Sequence, residues 1–326
     1  MDLQQDLTGE PFPYLSVVVP CYNEQEVLEE LHRRVSDVCT SLGVTYEVIL
    51  VNDGSADRTW SMMTDLAARD PCLVLVNLSR NHGHQLALSA GLSVCQGHRI
   101  FILDADLQDP PELLPEMMSH MDRGAHIVYG KRGYREGESL FKRISCHVFY
   151  RLLDLLTDTP IPLDTGDFRL ISRRVLDLVL AMPERHRFLR GMMSWTGFRQ
   201  VGVEYQRPAR FAGQTKYPFT SLLRLALDGV TAFSVKPLTL GIWFGAASGV
   251  IAVSLFVYSI VSWLFFDSPQ GWASLMAAVA FFGCVQMLML GIFGEYLGRL
   301  YEQTKGRPLF IIDRIVRGDE QSDAAP

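Results

Sequence analysis

Short apolar runs, each ended by turn residues and carboxylates and then followed by a helical pattern, open this chain. Residues 15–19, Leu-Ser-Val-Val-Val, form a β-branched run that stops at Pro20. The chain then passes through Cys21-Tyr22-Asn23-Glu24 into apolar positions at helical spacing, namely Val27, Leu28, Leu31, Val35 and Val38. Residues 46–51 form a second run ending in Asn52-Asp53-Gly54-Ser55, which is turn and helix-cap chemistry. A third run, residues 99–103, ends at Asp104-Ala105-Asp106. Three strand-to-helix units within about a hundred residues predict an α/β domain with a mainly parallel sheet, and ligands in such sheets bind beyond the carboxyl ends of the strands. Glu24, Asp53, Asp104 and Asp106 all fall at those ends. Neither a Gly-x-Gly-x-x-Gly fingerprint nor a P-loop is present to explain the arrangement.

The pattern changes character late in the chain. Residues 238–266 and 268–294 carry no charged side chain, and each stretch exceeds the roughly 20 residues that cross a bilayer. They predict two transmembrane helices, at about 238–264 and 272–294, joined as a hairpin by a turn without Lys or Arg. Lys236 precedes the first span, and Arg299, Lys305 and Arg307 follow the second, so both termini are expected in the cytoplasm. Trp243, Trp263 and Trp272 are candidate interfacial anchors. Two further segments, 139–156 and 219–235, place apolar residues at helical spacing with basic residues elsewhere, as interfacial helices do. The expected organisation is an N-terminal tail at 1–14 and a catalytic domain at 15–218 that includes the interfacial helix. A juxtamembrane helix at 219–236, two spans within 237–298 and a cytoplasmic tail at 299–326 complete it.

Charge sharpens this picture. The formal net charge is −6, which argues against a general nucleic-acid binder, but residues 1–130 hold 7 Lys/Arg against 19 Asp/Glu while residues 131–236 hold 18 against 10. A cationic stretch beside an acidic one suits an anionic substrate, a membrane surface or phosphate-bearing ligands. Cys21, Cys39, Cys72, Cys95, Cys146 and Cys284 show no metal-ligand spacing and no Cys-x-x-Cys pair, so reduced thiols are expected.

The Asp104-Ala105-Asp106 triplet is the centre of the candidate chemistry. Side chains two apart on a strand share a face, and Mg²⁺ or Mn²⁺ prefers oxygen ligands while leaving positions for substrate phosphates. Taken in order, Pro20-Cys-Tyr-Asn-Glu24, Asn52-Asp-Gly-Ser55, Asn77-Leu-Ser-Arg-Asn81, Asp104-Ala-Asp-Leu-Gln-Asp-Pro-Pro-Glu112, Thr165-Gly-Asp-Phe-Arg-Leu170 and Arg210-Phe-Ala-Gly-Gln-Thr-Lys-Tyr217 resemble the family 2 polyisoprenyl-phosphate glycosyltransferases. That group includes dolichyl-phosphate mannose synthase. Within it the bactoprenol glucosyltransferases are most similar, through Leu107-Gln-Asp-Pro-Pro111, Pro183-Glu184-Arg185, Gly213-Gln-Thr-Lys216 and Gly294-Glu-Tyr-Leu-Gly298.

The resemblance implies a GT-A, Rossmann-like domain in a bacterial inner-membrane enzyme. Its donor site would use Pro20, Tyr22, Glu24, Asp53, Asp104 and Gln108, with Asp104, Asp106 and Gln108 managing a divalent metal, Mg²⁺ or Mn²⁺, and the diphosphate. Asp167 would face sugar and acceptor, and Arg210, Thr215 and Lys216 would hold a polyprenyl phosphate; by charge rather than resemblance, Arg132 and Arg135 join them as candidates to hold that anion. Asp106, Asp167, Arg210 and Lys216 are the candidate catalytic set. The implied reaction is inverting transfer from a nucleotide sugar, UDP-glucose by resemblance, to undecaprenyl phosphate. A formamido-arabinose or mannose donor is the alternative, and a homo-oligomer and a downstream flippase are implied partners. His84 is assigned no role and is expected at the surface or in packing.

Chemistry independent of resemblance leaves the task of Asp167 open. A phosphate monoester has a second pKa near 6, so the acceptor is mostly a dianion at neutral pH and scarcely needs a strong base. Asp167 therefore orients a reacting group or abstracts a proton. A processive polysaccharide synthase would share the Asp-x-Asp but needs a Gln-x-x-Arg-Trp motif and a larger membrane channel, and this chain has neither. A catalytically silent scaffold would be expected to have lost one of Asp104, Asp106, Asp167 or Arg210, and all are present.

Overall fold

The computed structural model describes residues 12–132, 165–185, 187–206, 236–265 and 272–318. The chain divides into two compact units, one of Met1–Tyr150, Thr159–Pro218 and Pro308–Pro326, the other of Arg151–Asp158 and Phe219–Arg307. The segments 139–156 and 219–235, expected as amphipathic helices, lie outside the described residues.

In the first unit β1 (Leu15–Cys21), α1 (Leu28–Ser41), β2 (Tyr46–Asn52), α2 (Thr59–Ala67), β3 (Leu73–Leu78), α3 (His84–Val94) and β4 (Arg99–Ile102) alternate. They are followed by α4 (Leu114–Asp122), β5 (Ile127–Arg132), β6 (Thr165–Ser172), α5 (Arg173–Ala181), α6 (Leu189–Trp195), β7 (Gln200–Tyr205) and, after a long interval, β8 (Ile312–Arg317). The eight strands form one sheet in the order β7-β5-β6-β4-β1-β2-β3-β8. The expected parallel pairing holds from β1 to β4, whereas β6 runs antiparallel to β4 and β5, and β8 runs antiparallel to β3.

Helices on both faces explain why β1 and β2 are apolar without alternation. Leu15, Val17 and Val19 share one core with Leu28, Leu31 and Val35 of α1. Val18, Ile49 and Val51 point to the other face, where α3 lies so close at Gly91 that an added Cβ would fall 2.5 Å from Val18 Cγ1. The strand directions put the carboxyl ends of β1 to β5 and β7 at the same rim as the amino ends of β6 and β8. That rim therefore collects Glu24, Asp53, Asp104, Asp106 and Asp167 from four strands, β1, β2, β4 and β6.

The expectation for 299–326 as a tail needs correction. Residues up to Thr304 continue the last helix, and Ile312–Arg317 is a strand paired to β3. As an edge strand its charged positions Asp313, Arg314 and Arg317 hide it from an apolar-pattern search, and they are of the kind that discourages further pairing at a sheet edge.

The second unit contains α7 (Lys236–Phe265) and α8 (Trp272–Thr304). Each holds a stretch long and apolar enough to cross a membrane, Gly241–Tyr258 and Phe281–Thr304. Large apolar side chains such as Trp243, Phe256 and Met287 stand exposed on them, which suits a hydrocarbon solvent.

Candidate active site

Loops after β1 and β2 are knitted into one wall of the rim. Asn23, in the left-handed region at φ 56°, donates its N–H to Ser55 Oγ at 3.0 Å and accepts from the Ala56 N–H at 2.8 Å. The Glu24 N–H donates to Thr59 Oγ1 at 2.9 Å. Pro20 is buried within β1 opposite Val51, while Tyr22 is 40 % exposed beside it. Gly54 has a φ of 65°, and an added Cβ would lie 2.5 Å from the Asn81 nitrogen, so only glycine lets the 80–81 backbone approach this turn.

Asp53 has a more structural post than a nucleoside contact alone would give it. It is buried, and its two oxygens accept the N–H groups of His82 at 2.7 Å and Gly83 at 3.0 Å. Burial raises its pKa while those backbone donors act the other way. The carboxylate thus fixes the loop that leads into α3.

The Asp-x-Asp turn follows β4. Leu107 takes a φ of 56°, and the Gln108 N–H donates to Asp106 Oδ1 at 3.1 Å, which folds the chain back on itself. Gln108 and Asp109 are buried, and the Tyr205 hydroxyl donates to Asp109 in a short hydrogen bond. Asp104 Oδ1 is buried and has no hydrogen-bond partner. Burial pushes the Asp104 pKa up to about 6, against the pull of His84.

Asp167 enters from the start of β6 and is buried. Gln85 Nε2 donates to its Oδ2 at 2.7 Å, His84 Nε2 is 3.2 Å from the same oxygen, and Arg190 Nε is 3.6 Å from Oδ1. Burial opposes its charge, but Arg190 and His84 outweigh it and hold the carboxyl well below the usual carboxylate range. His84 also reaches Asp104 Oδ1, at 3.4 Å. Burial works against the imidazolium, yet the bond to Asp167 and the charge of Asp104 raise the His84 pKa to about 9. Two carboxylates after β4 and one from β6, with the His84 imidazole between Asp104 and Asp167, can manage a charged leaving group on one side and a nucleophile on the other.

Of the residues expected from sequence, Tyr22, Glu24, Asp53, Asp104, Asp106, Gln108 and Asp167 sit in loops or strand ends at this rim. Arg132 ends β5 in register with Tyr205. Arg135, Arg210, Thr215 and Lys216 lie outside the described residues. His84, expected in packing or at the surface, belongs to the site, as do Gln85 and Arg190. The signal that could have found His84 and Gln85 is the polar run Asn81-His-Gly-His-Gln85, which follows a strand end as the other site segments do; Arg190 carries no such signal.

Residues 16–180 match Glycosyl transferase family 2. An uncharacterized glycosyltransferase, YkcC of Bacillus subtilis (strain 168), is 44% identical over 301 residues, covering 92% of this chain and 93% of its own. A prophage bactoprenol glucosyl transferase homolog of Escherichia coli (strain K12) is 38% identical, covering 92% of this chain and 99% of its own. The bactoprenol glucosyl transferase of Shigella phage SfII is 36% identical, with 94% and 99% covered. A mixed, mainly parallel sheet with carboxylates at its carboxyl rim is the GT-A arrangement, and with relatives of this identity along nearly its whole length the chain belongs to glycosyltransferase family 2.

Proposed function

We propose that this glycosyltransferase moves glucose from UDP-glucose to a polyprenyl phosphate at a membrane surface, inverting the anomeric centre. The observation that carries the reading is the meeting of Asp104 and Asp167 across the β4–β6 junction, joined by His84. The acceptor and sugar rest on the bactoprenol glucosyl transferases at 36–38% identity. Two helices able to cross a membrane would hold the enzyme at the bilayer in which a polyprenyl chain dissolves.

A divalent metal fits the residues only as a shared site. Among the described residues no three His, Cys, Asp or Glu side chains are grouped to hold an ion alone, whereas Asp104 offers a buried oxygen without a hydrogen bond. That matches Mg²⁺ or Mn²⁺ held by one or two carboxylates and completed by substrate phosphates, with Asp104 and Asp106 as ligands and Gln108 beside them. The bound ion would neutralise charge on the departing diphosphate.

The chain's own residues supply the rest. Asp167, with Gln85, His84 and Arg190 around it, is a charged and aimed acceptor of hydrogen bonds rather than a poised base, so it orients the sugar or the nucleophile. The acceptor, mostly a dianion, attacks the anomeric carbon from the face opposite the leaving group. Arg132, Arg135, Arg210, Thr215 and Lys216 are the groups assigned to its phosphate, where Arg forks and a Lys charge bind such oxygens. The catalytic unit lies on the cytoplasmic side, as Lys236, Arg299, Lys305 and Arg307 flank the helix pair.

The test offers purified protein a panel of radiolabelled nucleotide sugars with undecaprenyl phosphate and identifies the lipid product. Label in a glucosyl lipid from UDP-glucose is expected. Label only from another nucleotide sugar would correct the donor, and none in lipid would refute the acceptor.

A further inference from the structure

His84 occupies a place that neither packing nor surface solvation explains. Its Nε2 lies 3.2 Å from Asp167 Oδ2 and 3.4 Å from Asp104 Oδ1, so one nitrogen joins the turn after β4 to the start of β6. Those two carboxylates belong to opposite sides of the proposed reaction, Asp104 to the departing diphosphate and Asp167 to the sugar and nucleophile. With no imidazole between them, two like charges in a partly buried site repel and spread apart.

The imidazole is also held firmly. Asp53 binds the N–H groups of His82 and Gly83 just before it, and Gln85 just after it is fixed at both ends. Gln85 Nε2 donates to Asp167, while its Oε1 accepts the Leu189 N–H at 3.1 Å. Arg190, the next residue, closes the ring: it donates to the Thr165 carbonyl at 3.0 Å and approaches Asp167 from the other side. The start of α3, the start of β6 and the start of α6 are thus tied in one polar cycle. About a third of the His84 side chain stays open at the rim.

We infer that His84 is a positioning residue, one that sets the spacing between the leaving-group side and the acceptor side of the reaction through Asp104 and Asp167. The inference rests on the proposed transfer reaction and deepens it. Its physical basis is the steep cost of misplacement: reacting atoms must be held near 3 to 3.5 Å, and an error of about 1 Å costs on the order of 100-fold in rate.

The experiment compares wild type, His84→Leu and His84→Lys in detergent, following kcat, the KM for nucleotide sugar, UDP affinity by calorimetry with Mn²⁺ present, and the thermal midpoint. His84→Leu is expected to lower kcat by about 100-fold while donor KM and UDP affinity stay within about threefold. His84→Lys offers an ammonium whose three N–H groups can reach both oxygens, and is expected to recover at least about a tenth of the wild-type kcat. A purely structural role predicts instead that both variants lose activity alike, in step with a fallen midpoint and weaker UDP binding; that result would overturn the inference. So would a His84→Leu enzyme with near wild-type kcat. Failure of wild type to make any lipid product would refute the transfer reading and this inference together, whereas an active wild type beside an unaffected His84→Leu sinks the inference alone.

Discussion

Asp104 and Asp106 share a turn but not an environment. Asp104 keeps a buried oxygen without a hydrogen bond, while Asp106 spends Oδ1 on the Gln108 N–H and so fixes the turn as well as carrying charge. Asp106→Asn is expected to reduce turnover by at least about 100-fold in a protein that still folds, because the developing charge on the leaving group loses a formal counter-charge at the ion. Near-normal turnover in that variant, or in excess EDTA, would remove the metal role. Asp167 gives a sharper test. Its carboxyl is held below the usual range, so it is charged throughout neutral pH and has little tendency to take a proton. Asp167→Asn should therefore depress kcat without deleting an ionisation from the pH–rate profile between about pH 6 and 9; loss of such an ionisation would make Asp167 the base. Asp104 and Asp106 were legible in sequence because they close an apolar run, and Asp167 through its Thr-Gly-Asp-Phe-Arg motif. His84 was not, since its partner Asp167 lies 83 residues away and the contact exists only because β6 runs back beside β4.

Buried strands announce themselves and edge strands do not. β1, β2 and β4 read directly from apolar runs, because helices cover both faces and no polar alternation is required. β6 was visible as a motif, Thr165-Gly-Asp-Phe-Arg-Leu170, rather than as a strand, since its charged residues Asp167 and Arg169 are buried by partners that only the tertiary structure supplies. Between elements, the turn after β2 and the loop before α3 lock through Gly54. Gly54→Ala places a Cβ against the backbone of Asn81 and strains a left-handed residue, which is expected to cost about 2 to 4 kcal/mol. Urea unfolding of the purified protein measures it. An unchanged midpoint would mean that the 80–81 loop gives way freely, and with it the rigidity claimed for His84.

At the scale of the whole molecule the sheet unit contains residues from before α7 and from after α8, so any membrane crossing between them must occur an even number of times. Cysteine probes placed in residues 1–14 and after Gly318, on a background without native thiols, are expected to react only from the cytoplasmic side; one terminus labelled from outside would refute the hairpin. A chain stopped after Arg307 keeps both apolar helices and all proposed site residues but loses β8, together with the Asn77 to Asp313 bond at 3.2 Å. It is expected to unfold at a lower midpoint and to aggregate through the bare edge of β3, and equal stability would show β8 to be dispensable. The same strand sets a timetable for synthesis. β3 leaves the ribosome 234 residues before β8 begins, from Leu78 to Ile312, a wait of roughly 10 to 50 seconds at ordinary elongation rates. During that wait both apolar helices are made while the sheet stands with one edge unpaired. The edge of β3 can therefore be sealed only after the apolar helices have been translated, and a chain terminated before Ile312 would keep that β-edge open.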